Sequence, residues 1–105
     1  VRKLISSAKR YQVMADFSLK PDGLKAGLSV EAFLVFLSAA ACADKNKGYV
    51  MFGQRAATME DIILWAHVKE RQAETKAELL ERGLIREDEI GWFIPAFFKN
   101  TEGRK

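Results

Sequence analysis

The chain has 105 residues, 49% of them hydrophobic and 30% charged, with a formal net charge of +3. That length suits one hydrophobic core rather than two, and that balance belongs to a folded domain rather than a disordered segment. The longest apolar run, 30–43, is broken by Glu31 and Ser38 and falls short of the roughly 18 to 20 residues that span a bilayer, so no membrane partner is expected.

Residues 1–10 form a basic amino-terminal arm with Arg2, Lys3, Lys9 and Arg10. Between 11 and 17, Tyr11, Val13, Ala15 and Phe17 alternate with more polar neighbours, the pattern of a short half-buried strand or extended segment. Pro21, Asp22 and Gly23 make a turn. Ser29 is a helix cap, and Val30, Phe33, Leu34, Leu37, Ala40 and Ala41 recur at helical spacing up to Asp44. This is the most hydrophobic predicted helix and so the central one. Asn46, Lys47 and Gly48 break it, and Tyr49, Val50, Met51 and Phe52 make a short strand that ends at Gly53.

Thr58 caps a second amphipathic helix, with Asp61 in the place a capping box fills with Glu or Gln; Ile62, Ile63, Trp65 and Ala66 give its buried side, and it ends near His67 and Val68. A third helix runs from Lys69 or Glu70 to Arg82 and buries Ala73, Ala77, Leu79 and Leu80. It stops at Gly83, which can take the left-handed conformation at C′, and Leu84 follows where the cap wants an apolar contact. Strands at 84–87 and 90–94 flank a turn at Asp88 and Glu89, and Pro95 halts the second. The step at Gly83 reads as the close of a helix-turn-helix and the start of a wing. The domain is placed at 11–98, and the polar tail 99–105, with Lys99, Arg104 and Lys105, reads as the start of a linker. With Val1 rather than methionine at the beginning, an amino-terminal domain of a longer protein is expected.

The residues that carry chemistry are sparse. His67 is the one histidine and Cys42 the one thiol, too few for a zinc site or a nucleophilic triad. Gly23 and Gly27 are not followed by the Gly-Lys-Ser/Thr of a phosphate loop. Glu60 with Asp61, and Glu87 with Asp88 and Glu89, read as solvated faces or turns. Neither an enzyme nor a cofactor is expected, and a lone cysteine suits a reducing cytoplasm.

Surface recognition remains. The exposed side of the third helix offers Lys69, Arg71, Gln72, Thr75, Lys76 and Arg82, residue types that contact phosphates and base edges of double-stranded DNA. Glu70, Glu74, Glu78 and Glu81 on the same helix offset that charge. Arg2, Lys3, Lys9 and Arg10 add a flexible arm able to track phosphates. The aromatic excess at the carboxy-terminal end has two readings. Either Ile90, Trp92, Phe93, Ile94, Phe97 and Phe98 pack onto the helices, or Trp92, Phe97 and Phe98 form an exposed patch that pairs with another copy in a homodimer or higher oligomer.

A hydrophobic helix, a short strand, two helices and a hairpin entered through Arg82, Gly83, Leu84 and Ile85 together resemble the winged-helix superfamily. More closely, they resemble the amino-terminal domain of phage replisome organisers and DnaD-type primosome proteins. The matching stretches are 11–17, 31–43, 48–52, 58–66, 70–85 and 90–94, nearly the whole of 11–98. In the third helix, Leu79 fits the apolar repeat that precedes the glycine in this fold, and Thr75 and Lys76 depart from it. The resemblance implies an α+β, mainly α winged helix that binds origin DNA during replication initiation, self-associates and recruits a helicase-loading partner. Its rivals are the same fold used as an oligomerisation or partner-docking module of a primosome protein, and a transcriptional regulator.

Overall fold

The computed structural model describes residues 3–19, 28–44 and 47–98. Among them are four α-helices, α1 (Ser7–Leu19), α2 (Val30–Ala41), α3 (Met59–Trp65) and α4 (Gln72–Glu81). Two antiparallel hairpins accompany them: β1 (Met51–Phe52) with β2 (Arg55–Ala56), and β3 (Arg86–Glu87) with β4 (Trp92–Phe93). A single 3-10 turn, Pro95–Phe97, follows β4. The chain is thus a small α+β domain. The turn expected at Pro21, Asp22 and Gly23, the break at Asn46, Arg2 of the arm and the tail 99–105 lie outside the described residues.

The first departure from expectation is α1. The alternation of Tyr11, Val13 and Ala15 lies within a helix, not a strand. Ser6 accepts the Lys9 N–H at 3.2 Å and so caps the helix, and Ala8, Lys9, Arg10, Gln12, Met14 and Ala15 are mostly strong helix formers. A four-position alternation yields to that propensity. The same helix removes the idea of a free basic arm. Lys9 and Arg10 belong to it, Leu4 bridges Phe98, and the Ile5 N–H donates to Phe97 O at 3.0 Å.

Helix α2 begins where expected. Ser29 Oγ accepts the Ala32 N–H at 3.1 Å, and the helix packs against both α3 and α4. Its core face, however, is Ala32, Val35, Phe36 and Ala39, whereas Val30, Leu34 and Ala41 are exposed and Phe33, Leu37 and Ala40 half-buried. Because the helix is apolar on nearly every side, periodicity alone did not select the buried face.

Met51 pairs with Ala56 and Phe52 with Arg55 around Gly53 and Gln54, with Gly53 at φ 66°. A glycine at the first central position of a two-residue turn suits a tight hairpin, so the chain folds back where the sequence reading ended a strand. Thr58 and Asp61 complete a capping box: Thr58 Oγ1 accepts the Asp61 N–H at 3.1 Å, and Asp61 Oδ2 accepts the Thr58 N–H at 3.0 Å. Ile62 and Ile63 are buried, Trp65 and Ala66 half-buried.

Helices α3 and α4 close with the same motif. At α4, Gly83 N–H donates to Leu80 O and Leu84 N–H to Leu79 O, at 3.1 and 3.0 Å. At α3, His67 N–H donates to Leu64 O and Val68 N–H to Ile63 O, at 3.0 and 3.3 Å. Gly83 and His67 take the left-handed position, at φ 70° and 60°. After Gly83, Leu84 and Ile85 enter the core, and β3 pairs with β4 in the register Arg86 to Phe93, Glu87 to Trp92. Tyr49 bridges Phe93 from the other side, and Val50 N–H donates to Trp92 O at 2.9 Å. Residues 49–50 therefore lie along β4 opposite β3. Phe36, Val50, Ile62, Leu79, Ile85 and Ile94 form the innermost core.

Trp92, Phe97 and Phe98 are 5%, 3% and 9% exposed. The patch imagined for a second copy is instead the core of this one, and Phe98 stands edge-on to Phe93 and Tyr49 at ring separations of 5.7 and 6.4 Å. Simple alternation fails here because the chain leaves β4 into a 3-10 turn that folds its aromatics under α1.

Candidate nucleic-acid interface

Helix α4 is set by contacts at both ends. The α3–α4 connection passes through two left-handed residues, His67 and Arg71, and Gln72 Nε2 donates back to Val68 O at 2.9 Å. Arg71 also lies 3.7 Å from Glu31 of α2, an exposed pair of small energetic weight. Further along, Glu78 turns inward, its carboxylate accepting both the N–H and the Oγ–H of Ser29 at 2.9 and 2.8 Å. One of the four acids that offset the basic charge of this helix is thereby spent on tying α4 to the start of α2.

Thr75, expected on the exposed side of the helix, is buried. It is 1% exposed and faces the core with Leu79, the two standing four and eight positions before Gly83. Ala73 and Ala77, expected inside, are exposed. Counting back from the glycine in steps of four identifies this face, whereas hydrophobicity favoured the alanines over a threonine. The outward side of α4 therefore carries Gln72, Ala73, Lys76 and Ala77, with Lys69 just before it and Glu70, Glu74 and Glu81 beside it. Lys69 and Lys76 make no ion pair among the described residues, and Lys76 Nζ lies 5.7 Å from the centre of the Trp92 ring, at the outer edge of a cation–π contact.

The remaining predicted contacts are dispersed. Arg82 caps the end of α4 and is exposed. Lys3 and Lys9 are exposed, and Arg10 Nη2 donates to Ser7 Oγ at 3.0 Å. Arg10 borders Ala40 and Ala41 at the end of α2, whereas Arg71 borders Glu31 at its start. At 1.5 Å per residue these places are about 14 Å apart along the helix, so the α1 cations do not merge with those of α4 into one stripe.

The turn of the second hairpin is acidic. Glu87 and Glu89 are exposed. Asp88 is built into the turn, accepting the Ile90 N–H at 2.8 Å, the Gly91 N–H at 3.3 Å and the Tyr49 hydroxyl at 2.6 Å. Its one cation, Arg86, reaches back to Leu80 O at 3.3 Å. A groove of about 340 Å³ separates this turn from α3 and α4, lined by Thr58, Glu60, Lys76, Glu87, Ile90 and Trp92 among others. The turn therefore presents negative charge to solvent through Glu87 and Glu89.

The Thr58 N–H, aided by the Arg55 guanidinium 3.0 Å away, holds the Asp61 carboxyl below its ordinary value of 3.8. Burial pushes the Cys42 thiol up, which disfavours the reactive thiolate. Among the described residues, no group of His, Cys, Asp and Glu is placed to hold a metal ion, and no helix is long and apolar enough to cross a membrane. No family model, curated protein or solved structure matches the chain.

Proposed function

We propose that this chain is a DNA-binding winged-helix domain of a phage or prophage replication initiation protein, with α4 as the helix that enters the major groove. The observation that carries this reading is the outward face of α4. Two cations that make no ion pair among the described residues, Lys69 and Lys76, stand beside two exposed alanines, Ala73 and Ala77, small enough to let base edges approach closely. The element order supports the fold: α2, the segment 49–50 along β4, α3, a short turn, α4, and a hairpin entered through a glycine cap. The replication role rests on the resemblance of that order to replisome organisers.

The contact set is narrower than the sequence suggested. Lys69 and Lys76 meet phosphates, Arg71 contributes where it is released from Glu31, Ala73 and Ala77 lie against the groove floor, and the acidic turn stays off the backbone. Duplex binding measured by fluorescence anisotropy across a salt series tests this. Neutralising both lysines (Lys69→Gln with Lys76→Gln) should weaken binding and flatten the log–log salt slope by about two. Placing a carboxylate at the centre of the face with Ala73→Glu should abolish binding while thermal melting barely moves. Unchanged affinity and slope in both variants would refute the reading.

A further inference from the structure

We propose that the β1–β2 hairpin and the end of α3 form a stacking site for an unpaired nucleobase, by which the domain holds a single strand of nucleic acid. Its residues are Phe52, Arg55 and Trp65. Phe52 and Arg55 face each other across the two-residue turn of the hairpin, and the guanidinium carbon of Arg55 lies over the Phe52 ring, 4.7 Å from its centre. Trp65 stands nearly perpendicular to Phe52, with ring centres 5.4 Å apart and planes at 74°. Phe52 is 47% exposed, and Trp65 is half-buried.

What separates this group from an ordinary surface arginine is how the guanidinium is held. Its Nη1 lies 3.0 Å from Asp61 Oδ2 and donates to Ala56 O at 3.1 Å. One edge is thus tied to α3 and to the strand itself, while the Phe52 ring supports one face. More than half of the side chain, 56%, is still open to solvent. Asp61 offsets the charge, which leaves Arg55 a poor partner for a phosphate and a good one for a flat ring. Guanidinium planes and aromatic faces are the surfaces on which unstacked bases rest when a single strand is bound.

The frame beneath is fixed. Met51 N–H donates to Cys42 O at 3.2 Å and Ala57 N–H to Val50 O at 2.9 Å, which ties the hairpin to the end of α2 and to the core. The platform is therefore formed before a strand arrives, and binding pays little for ordering it. A cation for the strand's phosphates stands nearby. Lys69 is exposed, makes no ion pair among the described residues, and follows Trp65 by four residues, at most about 14 Å of extended chain. Lys69 is shared with the outward face of α4; Phe52, Arg55 and Trp65 are not. Stacking does not read the sugar, so single-stranded DNA and RNA share this chemistry.

Anisotropy of labelled oligothymidylate and oligouridylate, each about 12 nucleotides long, titrated with the full chain to about 1 mM reads the site. Binding of either strand is expected, the tighter one naming the source, and it should quench tryptophan emission through Trp65, since Trp92 is 5% exposed in the core. Phe52→Ala should weaken single-strand binding about fivefold or more, and Phe52→Trp should preserve it. Arg55→Lys keeps the charge and loses the plane, so it should weaken binding too; it also reads the site should Phe52→Ala fold poorly by circular dichroism and melting. Ile90→Ala, at an exposed apolar position on the other hairpin, should leave affinity unchanged. A blunt duplex measured in parallel separates this site from the α4 reading: Phe52→Ala should leave duplex affinity as it is, and single-strand binding without duplex binding would sink the α4 reading alone. No binding of either strand, or affinity indifferent to both Phe52→Ala and Arg55→Lys, would overturn the proposal and leave the platform to a protein partner.

Discussion

His67 and Gly83 do the same backbone job with unequal means. Both sit at C′ of a helix-closing motif at positive φ, but only Gly83 is free of the Cβ penalty that this conformation imposes. His67→Gly should therefore raise stability by about 0.5–1 kcal/mol, and Gly83→Ala should lower it by about 1–2 kcal/mol. Urea titration reads both, and a His67→Gly variant that melts earlier would mean the imidazole makes a compensating contact. Gly83 was legible in the sequence because a glycine after an amphipathic run is a strong helix stop. His67 was placed near the right boundary, but no residue type announces a strained left-handed histidine. Thr75 shows the opposite limit: side-chain polarity suggested a surface contact, while the step of four back from Gly83 put it in the core.

At the scale of elements, local chemistry decided how helices begin and end. The capping box of α3 was visible as Thr58 followed three residues later by Asp61, and its carboxyl is held low mainly by the Thr58 N–H. A carboxyl with a lowered folded-state value stabilises fully above its ordinary 3.8 and loses that contribution as the pH falls through the lower folded value. Asp61→Asn should therefore be less stable than the parent at neutral pH, and the gap should narrow as the pH drops below 3.8. Thermal melts of the two proteins across pH 2 to 7, with about one-unit steps, measure it; a gap constant over that range would show that the charge contributes nothing. Elements without such punctuation were misread. Helix α1 passed for a strand because a few alternating residues also fit a helix. The hairpin β1–β2 was cut short because Gly53 reads equally as a stop or a turn.

At the scale of the whole molecule, the aromatic residues of the carboxy-terminal end complete the core instead of offering it to a partner. Trp92→Ala should cost about 3–5 kcal/mol, a large part of the stability of a domain this size, and its urea midpoint should fall accordingly. A midpoint close to the parent's would return Trp92 to the surface. Among the described residues, large apolar side chains remain exposed at Tyr11, Val30, Leu34, Phe52, Leu64 and Ile90, scattered over several elements.

By itself the sequence determined the α+β class, the helix starts at Ser29 and Thr58, the glycine stop after α4, and the second hairpin, because caps, turns and glycines act over three or four residues. Which side of α2 and α4 is buried was decided only in the tertiary structure. A helix apolar all round carries no phase, and alanine and threonine at neighbouring positions of α4 differ too little in transfer energy to set one. Packing against α3, the Glu78 tie to Ser29 and the refolding of 94–98 under α1 chose the faces. The candidate surfaces are whatever those contacts left uncovered.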